Sequence, residues 1–311
     1  MARILITGIS GFVGRHLASH LASRGHRLWG LHRNRARVGL TFAKGIQVSV
    51  GDVCDYSKLR GILNEARPEI IYHLASLIDA KDVEDLYMVN TLGTVMIFEA
   101  LASLNLSPKV LIASSSAVYG ASSPGQRLTE RAPTKPATHH GVSKLAQEMI
   151  AYQYAASQGF PLFVARSFNL VGPGQSPVLA CSAFARQIAE AECRGAPDRI
   201  FTGDLETQRD FTDVRDAVRA YDLIVARGKP GMLYNVCSGK ATSIRHCLTV
   251  LLEAARVRLR PAPDASRRQE GDVSIQVGSA ARLRRQTGWK PTIPLEQSLQ
   301  DLLNYWRGRT T

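Results

Sequence analysis

A chain of 311 residues with 45% hydrophobic and 21% charged residues is long enough for one large domain or two closely joined ones around a full apolar core. Its net charge of +13 is scattered. There is no run of five or six like charges and no interleaving of basic with aromatic residues, which argues against nucleic acid and for a small anionic ligand. No unbroken apolar stretch approaches the roughly 20 residues of a bilayer span, and because a core strand is expected from Arg3 on, no leader is expected. Cys54, Cys181, Cys193, Cys237 and Cys247 lack metal-ligand spacing, so reduced thiols, a cytoplasmic setting and no metal are expected.

Residues 3–7 read as a short apolar strand. Gly8-Ile9-Ser10-Gly11-Phe12-Val13-Gly14 follows, then an amphipathic stretch to about Arg24. Strand, glycine turn and helix in that order bring backbone N–H groups and the positive end of a helix dipole to a pyrophosphate. That context turns a weak glycine pattern into a dinucleotide-binding signal, with Gly8, Ser10, Gly11, Phe12, Val13 and Gly14 as cofactor contacts. A second strand, residues 27–31, ends at His32-Arg33-Asn34-Arg35. An acid there would hold the adenosine ribose of NAD; a histidine followed by arginines suits a 2′-phosphate. NADP(H) is therefore expected over NAD(H).

Strand-like runs at 47–50, 70–74, 109–113 and 161–165 alternate with helical patterns at 57–65, 83–103 and 142–157. Alternation of this kind predicts an α/β fold, a Rossmann-like doubly wound parallel sheet with helices on both faces. Ligands in such sheets lie beyond the carboxyl ends of the strands. Asp52 and Val53 stand there, with Asp52 assigned to the adenine edge, and so do Leu74, Ala75 and Ser76, small enough to let a cofactor lie against the backbone. Ser114, Ser115 and Ser116 close the fifth strand as hydroxyl donors or turn residues. A helix predicted to begin near Gly141 places His140 and Lys144, four residues apart, on one face, where they could form an acid/base pair or a plain helix start.

After residue 165 the chain turns polar and turn-rich, with helices at 178–192 and 295–306 and a strand at 234–236. The expected division is an NADP-binding domain of residues 1–168, rejoined by about 211–245. A smaller C-terminal substrate-binding domain would comprise 169–210 and 246–311.

Several motifs together give a family resemblance over nearly the whole chain. They are the glycine turn, Gly51-Asp52-Val53, His73-Leu74-Ala75, Ser114-Ser115-Ser116-Ala117-Val118-Tyr119-Gly120, Asn169 with Gly172-Pro173-Gly174, Arg209-Asp210-Phe211 and Tyr234-Asn235-Val236. The chain resembles the extended short-chain dehydrogenases/reductases that act on nucleotide sugars. Its C-terminal half is most similar to the GDP-4-keto-6-deoxy-D-mannose reductases, including Thr287-Gly288-Trp289-Lys290-Pro291. The resemblance implies NADPH-dependent reduction of a nucleotide-linked 4-keto-6-deoxy sugar, GDP-linked by preference. Ser115 would polarise the sugar C4 oxygen, and Lys144 would hold the nicotinamide ribose. Asn90, Ser114 and Ser167 complete the cofactor set. Asn169 and Arg209 would hold the substrate nucleotide, with Ser76, Ser116, Arg186, Asn235, Arg267 and Glu270 around them. Helices 83–103 and 142–157 would build a homodimer. Ser116-Ala117 stands where dehydratases of the superfamily carry an Asp-Glu pair, which argues against 4,6-dehydration.

One departure outweighs the agreements. The family's YxxxK motif reads His140-Gly141-Val142-Ser143-Lys144 here, so the catalytic tyrosine is a histidine. Tyr119 belongs to the family's own Val-Tyr-Gly motif, and His139 is five residues from Lys144. Three readings stand: His140 does the tyrosine's work in reduction, the pocket serves 4-epimerisation with retained cofactor, or the protein binds without turnover.

Overall fold

The protein is described by a computed structural model over residues 1–33, 45–78, 82–195, 198–267 and 273–310. Asn34, Arg35 and Glu270 lie outside the described residues. Seven strands, β1 (Arg3–Thr7), β2 (Arg27–His32), β3 (Ile46–Val50), β4 (Ile70–His73), β5 (Lys109–Ser115), β6 (Leu162–Ser167) and β7 (Leu233–Val236), pair in parallel in the order β7-β6-β5-β4-β1-β2-β3. The strand order reverses between β1 and β4, which opens a crevice at their carboxyl ends.

Period-two alternation assigns each strand residue to a face. Ile4 and Ile6 of β1 pack with α1 (Phe12–Ser23) and with α7 (Val214–Arg227), whereas Leu5 joins α2 (Tyr56–Ala66), α4 (Gly93–Ser103) and α5 (His139–Gln158) in the opposite core. A short helix α3 (Val83–Tyr87) runs into α4 through a π-helical turn, Met88–Leu92. Contrary to the sequence reading, the continuous rod Val83–Ser103 is long and apolar enough to cross a bilayer by length and composition. Its buried Asn90 and Thr94 instead hydrogen-bond to α5 and β4, as in a core helix of a globular fold.

The remaining chain builds a third core from α6 (Ala180–Arg194), α8 (Ile244–Glu253) and α9 (Leu295–Arg307). A small sheet places Gln208–Arg209 between Thr242–Ser243 and Ile275–Gln276. This part is latched to α1: His16 Nε2 lies 2.8 Å from the Pro173 carbonyl, and Arg15 donates to Gly174 O at 3.4 Å. Helix α5 starts two residues earlier than Gly141. Thr138 Oγ1 accepts the Gly141 N–H at 3.1 Å, an N-cap that draws His139 and His140 into the first turn.

Candidate active site

A groove of about 330 Å³ runs over the carboxyl ends of β1, β2, β3 and β4. Gly8, Ser10, Gly11, His32, Arg33, Asp52, Val53, Leu74, Ala75 and Ser76 line it, as does Leu77. Phe12, Val13 and Gly14 sit in the first turn of α1, behind the wall rather than on it. His32 is buried at the β2 corner and Arg33 is exposed at the rim. Asp52 accepts the Cys54 N–H at 2.9 Å while still lining the groove.

The groove floor is close packed. Gly8 has φ +70°, and a Cβ there would lie 2.8 Å from the Ala75 nitrogen, so only glycine lets the first turn lie on the segment after β4. Thr7 Oγ1 accepts the N–H groups of Leu74 and Ala75, each at 3.2 Å, and gives its own proton to His73 Nδ1 at 2.8 Å. His73 Nε2 then donates to Thr94 Oγ1 at 3.0 Å, and burial pushes the ring's pKa down to about 3, so it stays neutral. Gly8→Val is expected to weaken NADPH binding by about tenfold or more, read by calorimetric titration; unchanged affinity would place the dinucleotide elsewhere.

Beside the groove, His140 and Lys144 bond to its lining residues Leu77 and Ser76, and helix α5, which carries both, packs on the turn after Ser115. Ser115 closes β5, and its Oγ accepts the Ala117 N–H at 3.1 Å, leaving its own proton for a substrate oxygen. Gly141 lets α5 press against the turn that follows: a Cβ there would be 2.6 Å from the Ala117 carbonyl oxygen. Lys144 is buried and donates to Gln147 Oε1 at 2.6 Å and to Ser76 Oγ at 3.4 Å. Burial lowers its pKa to about 7, against the opposing pull of Glu148. His140, half-buried, has Nδ1 3.2 Å from the Leu77 carbonyl. A carbonyl only accepts, so Nδ1 carries the proton and Nε2 keeps its lone pair. Burial, then the Lys144 charge, lowers the imidazole pKa to about 4, despite the hydrogen bond to Leu77.

Behind these groups lies a buried ionic layer. Arg166 reaches Glu148 through Nε at 2.8 Å and NH2 at 2.6 Å, and its guanidinium lies 4.5 Å from the Tyr119 ring centroid. Tyr119 is buried and donates to Asn235 Oδ1 at 2.8 Å, so its hydroxyl is committed to the interior and is no stand-in for the missing tyrosine. Arg166→Met would strand Glu148 as an uncompensated buried charge, and a loss of about 3–5 kcal/mol is expected in urea unfolding. A loss below about 1 kcal/mol would mean that the pair contributes little.

Four expected contacts are corrected here, because their side chains turn inward. Asn235 is fully buried, with Oδ1 on Tyr119 and Nδ2 donating to the Leu128 carbonyl at 2.9 Å. Ser114 is spent on Glu148, Ser116 on Gln276 Oε1 at 2.6 Å, and Ser167 on Tyr221 at 2.7 Å. All four side chains hold partners within the protein. Asn90 likewise lies behind the groove wall, bonded throughout to Ser76, Leu77 and Ser143.

On the substrate side, Asn169 is half-buried, with Nδ2 only 3.5 Å from the Asp210 carbonyl, and Arg209 is buried, with NH1 donating to Gln208 O at 2.9 Å. Arg186 pairs with Glu190 at 3.4 Å, and the exposed Arg267 pairs with Asp264 at 3.1 Å. Sequence reasoning missed Thr7, Gln147, Glu148 and Arg166. The available signal was polar residues at core positions, such as Arg166 directly after the apolar run Leu162–Ala165.

Residues 5–302 match the family described as GDP-mannose 4,6 dehydratase. The chain belongs to that family. A GDP-6-deoxy-D-mannose reductase of Pseudomonas aeruginosa is 34% identical over 99% of this chain and 98% of that protein. A UDP-glucose 4-epimerase of Mycolicibacterium smegmatis is 30% identical over 99% of both. Among solved structures, RMD from Pseudomonas aeruginosa complexed with NADPH superposes with a TM-score of 0.86 at 32% identity, covering 99% of this chain and 100% of that one. The Rossmann-like architecture expected from the strand–helix alternation is thus that of family members. Membership alone does not fix the reaction, since the family's description names a dehydratase while these relatives are a reductase and an epimerase.

Proposed function

We propose that the protein reduces the 4-keto group of a nucleotide-linked 4-keto-6-deoxy sugar, GDP-linked by preference, with NADPH as hydride source. The observation that carries this is a glycine-floored groove with His32 and Arg33 at one corner, on whose lining residues Lys144 and His140 rest: Lys144 Nζ donates to Ser76 Oγ at 3.4 Å and His140 Nδ1 approaches the Leu77 carbonyl at 3.2 Å. The residues present fit the cofactor: bare backbone at Gly8 and Gly11 for a pyrophosphate, a cation at the rim for a 2′-phosphate, and Lys144 beside Ser76 for the nicotinamide ribose. Similarity to the Pseudomonas aeruginosa reductase supports the same reading. Ser115 orients the keto oxygen through its free hydroxyl proton, and His140 Nε2 exchanges the proton. Residues 1–168 with 211–245 hold the cofactor in this reading, and 169–210 with 246–311 hold the nucleotide sugar through Asn169 and Arg209.

Mixing the protein with NADPH and a GDP-4-keto-6-deoxy sugar should consume the reduced-nicotinamide absorbance, with NADPH bound more tightly than NADH. A second reading, 4-epimerisation, is favoured by the bare Nε2, which suits taking a proton from a sugar hydroxyl. Flat absorbance with altered sugar stereochemistry would replace the first reading with the second.

The protein acts, in this proposal, as a homodimer. Val83, Met88 and Leu92 on the α3–α4 rod and Val142 and Met149 on the adjoining α5 are exposed, between 40% and 52%. Two neighbouring helices with apolar outer faces suit a four-helix interface. Light scattering should give a dimer mass at micromolar concentration, and a monomer would refute the arrangement.

A further inference from the structure

The Leu77 carbonyl is a meeting point of two helices. Asn90 Nδ2, from the π-helical turn, donates to it at 3.0 Å, and His140 Nδ1, from the first turn of α5, approaches at 3.2 Å. Asn90 is fully buried with every valence used. Its Oδ1 accepts the Leu77 N–H at 2.8 Å and the Ser76 hydroxyl at 2.9 Å, and its second Nδ2 hydrogen goes to Ser143 Oγ at 3.0 Å. The amide cannot be flipped, because exchange of its N and O would set NH₂ against the Leu77 N–H. One side chain therefore grips both backbone groups of Leu77 and fixes where that carbonyl points. Ser143 Oγ in turn donates to the His140 carbonyl at 2.9 Å, so the same cluster also ties down the backbone of the histidine.

We propose that Asn90 is a positioning residue for His140: by fixing the Leu77 carbonyl it holds the imidazole as the Nδ1–H tautomer, leaving Nε2 as the ring's reacting atom. The inference rests on the reading of His140 as the acid/base group. In reduction the ring would first take a solvent proton on Nε2 and then pass it to the sugar oxygen as NADPH supplies the hydride, returning to the neutral Nδ1–H form; in the reverse direction the bare Nε2 takes the hydroxyl proton. Nδ1–H stays on Leu77 throughout, and this bond strengthens when the ring is charged. The π-helical turn has a role here, since it is the element that carries Asn90 to the backbone of residue 77.

The test is ¹⁵N–¹H NMR of the full chain with labelled histidine at neutral pH, with the His140 signals assigned by their loss in His140→Phe. Wild type should show a protonated Nδ1 and a bare Nε2. Asn90→Ala should lose this preference and mix in the Nε2–H form, whereas Ser143→Ala, which spares the contact with Leu77, should keep it. If Asn90→Ala does not fold, Asn90→Asp preserves the shape but not the donor and should show the same loss. A wild-type ring protonated at Nε2, or an unaltered tautomer in the Asn90 variants, overturns the proposal. Failure of the catalytic reading would appear separately, as undiminished turnover in His140→Phe.

Discussion

Replacing His140 with phenylalanine is expected to lower reductive turnover by about two to four orders of magnitude, while His140→Tyr keeps or raises it. Phenylalanine fills the half-buried site without a proton to exchange. The Leu77 carbonyl retains its Asn90 donor, and Ser115 and Lys144 keep their own partners. Groove-lining residues are untouched, so NADPH affinity should stay within about threefold, which separates loss of proton transfer from loss of the cofactor site. Tyrosine restores the group expected from the YxxxK pattern, and its hydroxyl extends further than an imidazole nitrogen. Its phenol would stand beside Lys144, whose charge favours the phenolate. Stopped-flow measurement of NADPH consumption on a 4-keto sugar reads both variants. Undiminished turnover in His140→Phe would remove the ring from the mechanism and leave Ser115 with water as the proton source.

The sheet was legible because its strands are apolar runs alternating with helical patterns, and all seven lie within a residue or two of their predicted bounds. The groove was legible for the same reason: Gly8, Gly11 and Asp52 line it by position, and position follows from strand ends. The surroundings of His140 were only partly legible. That His140 and Lys144 share a side followed from helical spacing. The state of the ring did not, because it depends on Leu77, 63 residues earlier, and on an amide carried by a π-helical turn that periodicity cannot reveal. Ser114, Ser116, Ser167 and Asn235 misled for a related reason. Polar residues at the carboxyl end of a sheet can face a ligand or a buried partner. Glu148, Gln276, Tyr221 and Tyr119, each distant in sequence, decided the matter here.

Reductive turnover should climb steeply as the medium is acidified, which follows from the direction of the His140 shift. Desolvation is the largest cause, the Lys144 charge adds to it, and the hydrogen bond to Leu77 only partly offsets them, giving a pKa of about 4. The charged form is the disfavoured one, so at pH 7 only about one ring in a thousand carries a proton on Nε2. A keto oxygen that takes its proton from imidazolium should therefore be reduced about tenfold faster for each unit between pH 7 and 5, with the rise flattening near pH 4. Lys144, held to about 7 by burial, gains its charge over the upper part of that range, and because that charge disfavours the imidazolium the rise should be shallower near pH 7 than below pH 6. Oxidation of the product alcohol uses the neutral ring, which is already fully populated, so its rate should stay nearly flat from pH 6 to 8. His140→Tyr should abolish the acid-side rise, because a phenol is protonated across the whole interval. Single-turnover rates in both directions, measured with wild type and His140→Tyr, decide the matter. A reductive rate independent of pH in wild type would mean that the proton comes from a group other than His140.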